Sequence, residues 1–144
     1  MTIEESLQKN GVHLATPIGK SMLPLLKSRR NNVVIKPITQ KLKVNDVVLC
    51  KRDNGAYILH RIIKIKGDRY FLRGDNQFVL DKSIVKNNIL GVMVGFYKKD
   101  KFISVNSFLY KLYVFFWRII FPIRFPFMVI KYLFSRNKWW SLQS

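Results

Sequence analysis

Apolar and polar residues alternate in short runs over the first two thirds of the chain, then give way to a long apolar stretch near its end. The runs "VVIKPI" (33–38), "DVVLCK" (46–51), "YILHRIIKI" (57–65), "RYFLR" (69–73) and "ILGVMVGFY" (89–97) have strand length and are β-branched or aromatic. Turn-forming clusters stand between them, among them "RRNN", "KVND", "KGDR" and "GDNQ". The "DNG" at 53–55 predicts a hairpin between two of the strands. No helix-period segment interrupts residues 12–106, so the expected fold class is mainly β, a compact β domain. Ahead of it, Thr2 and Glu5 make a capping-box pattern, which predicts a short helix within residues 1–11.

Residues 107–144 differ in kind. "SFLYKLYVFFWRIIFPIRFPFMVIKYLF" holds more than half of the chain's aromatics and would have the length of a membrane span. Lys111, Arg118, Arg124 and Lys131 interrupt it, and an arginine at mid-bilayer costs about 2.5–3.5 kcal/mol on insertion scales. Lys111 with Arg118, and Arg124 with Lys131, are spaced by two helical turns, so each pair shares a helix face. Pro122 and Pro126 predict a break between the pairs. The expectation is a pair of short helices lying in a membrane interface, with basic side chains snorkelling to the headgroups and Trp139 and Trp140 beside them. Two other arrangements fit the pattern: core helices packed on the β domain, and a full span.

The charge sharpens the picture. Lys and Arg number 26 against 8 Asp and Glu, a formal +18, which selects anionic partners. After Asp100 every charge is positive, and those charges lie among aromatics, which favours an anionic membrane over nucleic acid. A basic nucleic-acid-binding β module remains the non-enzymatic alternative. One cysteine, Cys50, rules out an internal disulfide and a cysteine metal site; His13 and His60 have no metal-ligand spacing, and no metal or other cofactor is expected. The polar, acidic start of the chain is not a signal peptide.

The candidate chemistry centres on "GKSMLP" (19–24). Ser21 needs a base to become a nucleophile, and the adjacent Lys20 points the wrong way in extended chain. His60, in the middle of a strand-like run, has the right pKa range for a general base. Each alone fits an ordinary turn serine or a structural histidine. In order along the chain come Ser21-Met22-x-Pro24, His60-Arg61-Ile62, Gly74-Asp75-Asn76 and Asp81. This series resembles the signal peptidase I family of serine proteases, in its histidine-using branch, over roughly residues 15–97.

The resemblance implies Ser21 as nucleophile, His60 as general base and Asp81 as the group that orients the imidazole, with Asp75 the alternative for that last role. It implies Met22, Pro24, Arg61, Gly74, Asp75 and Asn76 as structural support, and a precursor peptide as substrate, cleaved after small residues. Members of the family carry a membrane helix ahead of the serine box, whereas only twenty residues, largely polar, precede Ser21. The expectation is therefore a small, peripherally bound member that trims a dedicated leader peptide, in partnership with a peptide exporter, at a bacterial or archaeal membrane. The basic flanks of the tail favour the cytoplasmic face. A membrane-bound protein that keeps the fold without catalysis is the remaining alternative.

Overall fold

The structure, a computed structural model, describes residues 1–141, with only the backbone for residue 82 and residues 136–141. The chain runs α1 (Ile3–Asn10), β1 (His13–Ala15), β2 (Asn31–Lys36), β3 (Val47–Lys51), β4 (Tyr57–Lys66), β5 (Arg69–Arg73), β6 (Asp81–Val85), β7 (Ile89–Lys98), β8 (Lys101–Ser104), α2 (Phe108–Ile119) and α3 (Phe121–Ser141). It is mainly β. The strands form one antiparallel sheet in the order β1-β2-β7-β3-β4-β5-β6, with β8 paired to β7.

Local chemistry sets the element ends. The Thr2 hydroxyl accepts from Glu5 N–H while the Glu5 carboxylate accepts from Thr2 N–H, the reciprocal cap that starts α1. Asn54 accepts from Ala56 N–H in the tight turn that joins β3 to β4, and pairing runs from Lys51↔Tyr57 to Val47↔Arg61. Register shifts in four of the strand pairs, among them the one between Ile62 and Lys64, let the long strands bend.

Strand alternation divides β3 between two cores. Val47 and Leu49 pack with Val33, Ile35, Met93 and Phe96, whereas Val48 and Cys50 pack with Ile62, Leu72 and Ile89. The first cluster also takes in Leu7 of α1, Met22 and Leu26 of the Ser21 loop, and Tyr110 and Val114 of α2. One hydrophobic core thus ties the serine loop and the first tail helix to the sheet.

The tail corrects part of the sequence expectation. The helix break falls at Ile120, ahead of Pro122, and Pro126 is carried inside α3. Pro122 sits near the start of α3, where a missing N–H costs nothing. One side of α2 packs as core, while Phe108, Leu109, Phe115, Phe116, Ile119, Ile123, Phe127 and Phe134 are exposed along the two helices. Lys111 and Lys131 are exposed too, and Arg118 and Arg124 are half-buried, with bonds to the Asn45 side chain and to Asp75 O of the β domain. The side chains of Trp139 and Trp140 lie outside the described residues. Among the described residues no single helix is long and apolar enough to cross a membrane; α2 with α3 up to Ser135 reaches that length and apolarity only as a pair bent by 65°.

Candidate active site

Ser21 sits in a turn between β1 and β2, half-buried, with its neighbour Met22 sunk in the core. Leu26 N–H donates to Met22 O, and the Leu23–Pro24 peptide is cis. The Gly74–Asn76 segment clamps this turn from outside. Asn76 N–H donates to Ser21 O at 2.8 Å and Asn76 Nδ2 to Lys20 O at 3.0 Å. Gly74 is required for that approach, because a Cβ there would lie 2.5 Å from Ser21 O. Lys20 is exposed, and its side chain makes no hydrogen bond among the described residues.

His60 is buried on β4, and its Nδ1 lies 2.6 Å from Asp81 Oδ2 at the start of β6. Arg52 Nη2 donates to the other Asp81 oxygen at 2.8 Å. The carboxylate is thus held by one group on each oxygen, which leaves Nε2 as the outward atom of the ring. Burial pushes the His60 pKa below its ordinary value, and the Asp81 carboxylate offsets that only in part. His60 is therefore neutral at neutral pH, the form a base requires.

Ser21 and His60 line the same pocket, about 400 Å³ in volume. Its walls are mostly apolar and come from β1 and the loop after it (Ala15, Ile18), from the core (Leu26, Leu49) and from β4 (Ile58), with His13, Thr16 and Tyr57 adding polar groups. No hydrogen bond joins the Ser21 hydroxyl to His60 among the described residues, and Ser21 N–H donates to no group there either. Serine–base contacts are often long before substrate binds.

Asp75 has another setting. Arg61 Nε and Nη2 donate to its two oxygens at 2.7 and 2.8 Å, and Tyr113 OH adds a third bond at 2.9 Å. Burial works against the Arg61 charge, but the bonds and charge of Asp75 outweigh it and hold the guanidinium protonated. Trp117 Nε1 and Arg124 Nη1 donate to Asp75 O, at 2.9 and 3.3 Å. Tail and serine loop are thus joined through one residue, since Asp75 lies between the Gly74 and Asn76 that clamp Ser21.

The residues of the sequence series therefore fall into two groups. Ser21 and His60 line one pocket, with Asp81 behind His60 on its Nδ1 side, and Met22, Pro24, Arg61, Gly74, Asp75 and Asn76 belong to the loop, strand and clamp around it. Sequence reasoning missed Arg52, Tyr113 and Trp117. Tyr110, Tyr113 and Trp117 stand at helical spacing on one face of α2, a stripe of aromatics with polar atoms that marks a face reaching for buried polar partners: Tyr110 OH accepts from Arg61, while Tyr113 and Trp117 donate to Asp75. Cys50 is no rival nucleophile, because burial pushes its thiol up to about 12. Comparison with protein-family models, with curated proteins and with solved structures found no match to the chain.

Proposed function

We propose that this protein is a membrane-associated serine endopeptidase, similar to signal peptidase I, that removes a leader or signal peptide from a precursor. The observation that carries the reading is the 2.6 Å contact between His60 Nδ1 and Asp81, with His60 lining a pocket that Ser21 also lines. Ser21 Oγ attacks the scissile carbonyl as its proton passes to His60 Nε2, and Asp81 stabilises the imidazolium that forms. The uncommitted Ser21 N–H supplies a donor for the oxyanion. The tetrahedral intermediate then collapses: the C–N bond breaks, His60 returns the proton to the leaving amine, and an acyl-serine remains. Water, deprotonated by His60, hydrolyses the ester and restores the serine.

Membrane association is supported by the exposed apolar side chains of α2 and α3 and by a charge of +18. The two helices lie along the interface with their inner faces on the β domain, so the pocket is carried close to the bilayer, where a precursor and its exporter would meet it.

The test is cleavage of a synthetic peptide with alanines before the scissile bond, by protein purified in detergent. Wild type cleaves it, and Ser21→Ala and His60→Ala lose at least three orders of magnitude in kcat/KM. Variants that cleave as well as the parent overturn the assignment.

A further inference from the structure

Arg73 and Arg124 both lie against Phe121 at the corner where α2 turns into α3, and Arg118 stands in the last turn of α2 beside it. The Arg73 guanidinium lies over the Phe121 ring, 3.6 Å from its centroid. The Arg124 guanidinium lies 3.5 Å from the centroid of Trp117 and 5.6 Å from that of Phe121. Arg118 is close enough to Arg73 to act on its charge: the Arg73 pKa is pushed down to about 10, by burial first and then by Arg118 and Arg124.

No carboxylate answers this cluster among the described residues. Arg61 and Tyr113 take up the two oxygens of Asp75, which offers Arg124 only its backbone carbonyl, and Asp46, which lines a cavity with Arg118, forms no ion pair with it. Arg118 bonds to the Asn45 side-chain oxygen, a neutral partner. Arg73 makes no hydrogen bond among the described residues, and Arg124 Nε is buried without a partner. Like charges held together with donors unspent are costly unless an anion joins them. Stacking on Phe121 and Trp117 fixes the planes of two guanidinium groups; Arg124 spends Nη1 on Asp75 O, while the N–H edge of Arg73 is left for the paired bonds that suit a phosphate.

We propose that Arg73, Arg118 and Arg124 form a site for the phosphate of an anionic phospholipid. The choice of a lipid over free phosphate follows from the surroundings. Ile119, Ile123 and Phe127 are exposed beside the cluster and give the acyl region of a leaflet something to meet. The inference rests on the membrane part of the proposed function and is independent of its catalytic part.

The experiment uses the full-length Ser21→Ala protein, so that proteolysis plays no role. Sedimentation with vesicles of phosphatidylcholine mixed with phosphatidylglycerol is compared with phosphatidylcholine alone, for the parent and for R73Q/R118Q and R73Q/R124Q. At about fivefold per arginine near a membrane surface, each double variant should bind the anionic vesicles roughly twenty-five-fold more weakly. A charge-matched control, K9Q/K41Q, removes two exposed lysines elsewhere and should lose much less. Far-UV circular dichroism checks the fold, and R73Q/R118Q leaves the Arg124 bond to Asp75 intact. If the arginine variants lose no more than the control, the site is wrong while membrane binding stands. If the parent ignores anionic vesicles, the membrane reading falls with it. Saturable binding of inorganic phosphate, or of single-stranded RNA in preference to vesicles, would also overturn a lipid site.

Discussion

His60 and Arg61 are neighbours on β4, each finds an aspartate, and strand alternation sends the two pairs to opposite faces of the sheet. The Arg61–Asp75 side chains are 2% and 3% exposed, and both oxygens of Asp75 are occupied. His60 and Asp81 are 5% and 24% exposed, and the outer edge of the imidazole borders a pocket. The first pair is sealed and joins three parts of the chain: the serine loop, the sheet and α2. The second keeps one face open and holds a neutral base ready. A carboxylate's surroundings, more than its type, decide whether it holds structure or assists chemistry.

The comparison can be broken most sharply by removing the groups on the open side. Ser21→Ala and His60→Ala should each abolish peptide cleavage, and the double variant should be little worse than either, as expected for residues that act as a unit. Their melting temperatures should stay close to wild type. Additive losses would mean that the two do not share a mechanism.

Next in size is the sealed pair. Asp75→Asn leaves the Arg61 charge buried without its partner, and should cost about 3–5 kcal/mol of stability in a denaturant titration. A midpoint like the parent's would show that Asp75 is not structural.

The pH dependence sharpens the open side. Because burial holds the His60 pKa below its ordinary 6.5, the acid limb of kcat/KM should lie below 6.5, with activity rising as pH passes through it. The unfolded chain takes up the proton first as pH falls, so His60 also removes stability as pH drops through that window. Arg52→Met takes away a cation that lowers the His60 pKa, and should move the acid limb upward. A limb above 6.5 in the wild type would contradict the buried, neutral base.

The smallest effect concerns the bridge to the tail. Tyr113→Phe deletes one hydrogen bond to Asp75 and should cost about 1 kcal/mol in thermal or denaturant melts. No measurable change would mean that α2 adds little to the frame beyond apolar packing.

Much of this was legible in the sequence. The five β-branched runs became β2, β3, β4, β5 and β7, because alternation and turn residues are local signals. The short strands β1, β6 and β8 were not legible, since each has five residues or fewer, too short for alternation to show, although each pairs with a strand next to it in the chain. The order of Ser21, His60 and Asp81 could be read, but the choice between Asp75 and Asp81 could not. Which carboxylate faces His60 depends on Arg61 claiming Asp75 from the other face of β4. The tail was half legible: its helices follow from periodicity, whereas the half-buried setting of Arg118 and Arg124 depends on acceptors at Asn45 and Asp75.

The most direct measurement is kcat/KM of Asp81→Asn beside its melting temperature. Asparagine keeps the shape, removes the charge and favours the wrong imidazole tautomer. The account predicts a loss of about 10⁴-fold in kcat/KM with a melting temperature near the parent's. Full activity in Asp81→Asn, or a loss explained entirely by unfolding, would contradict it.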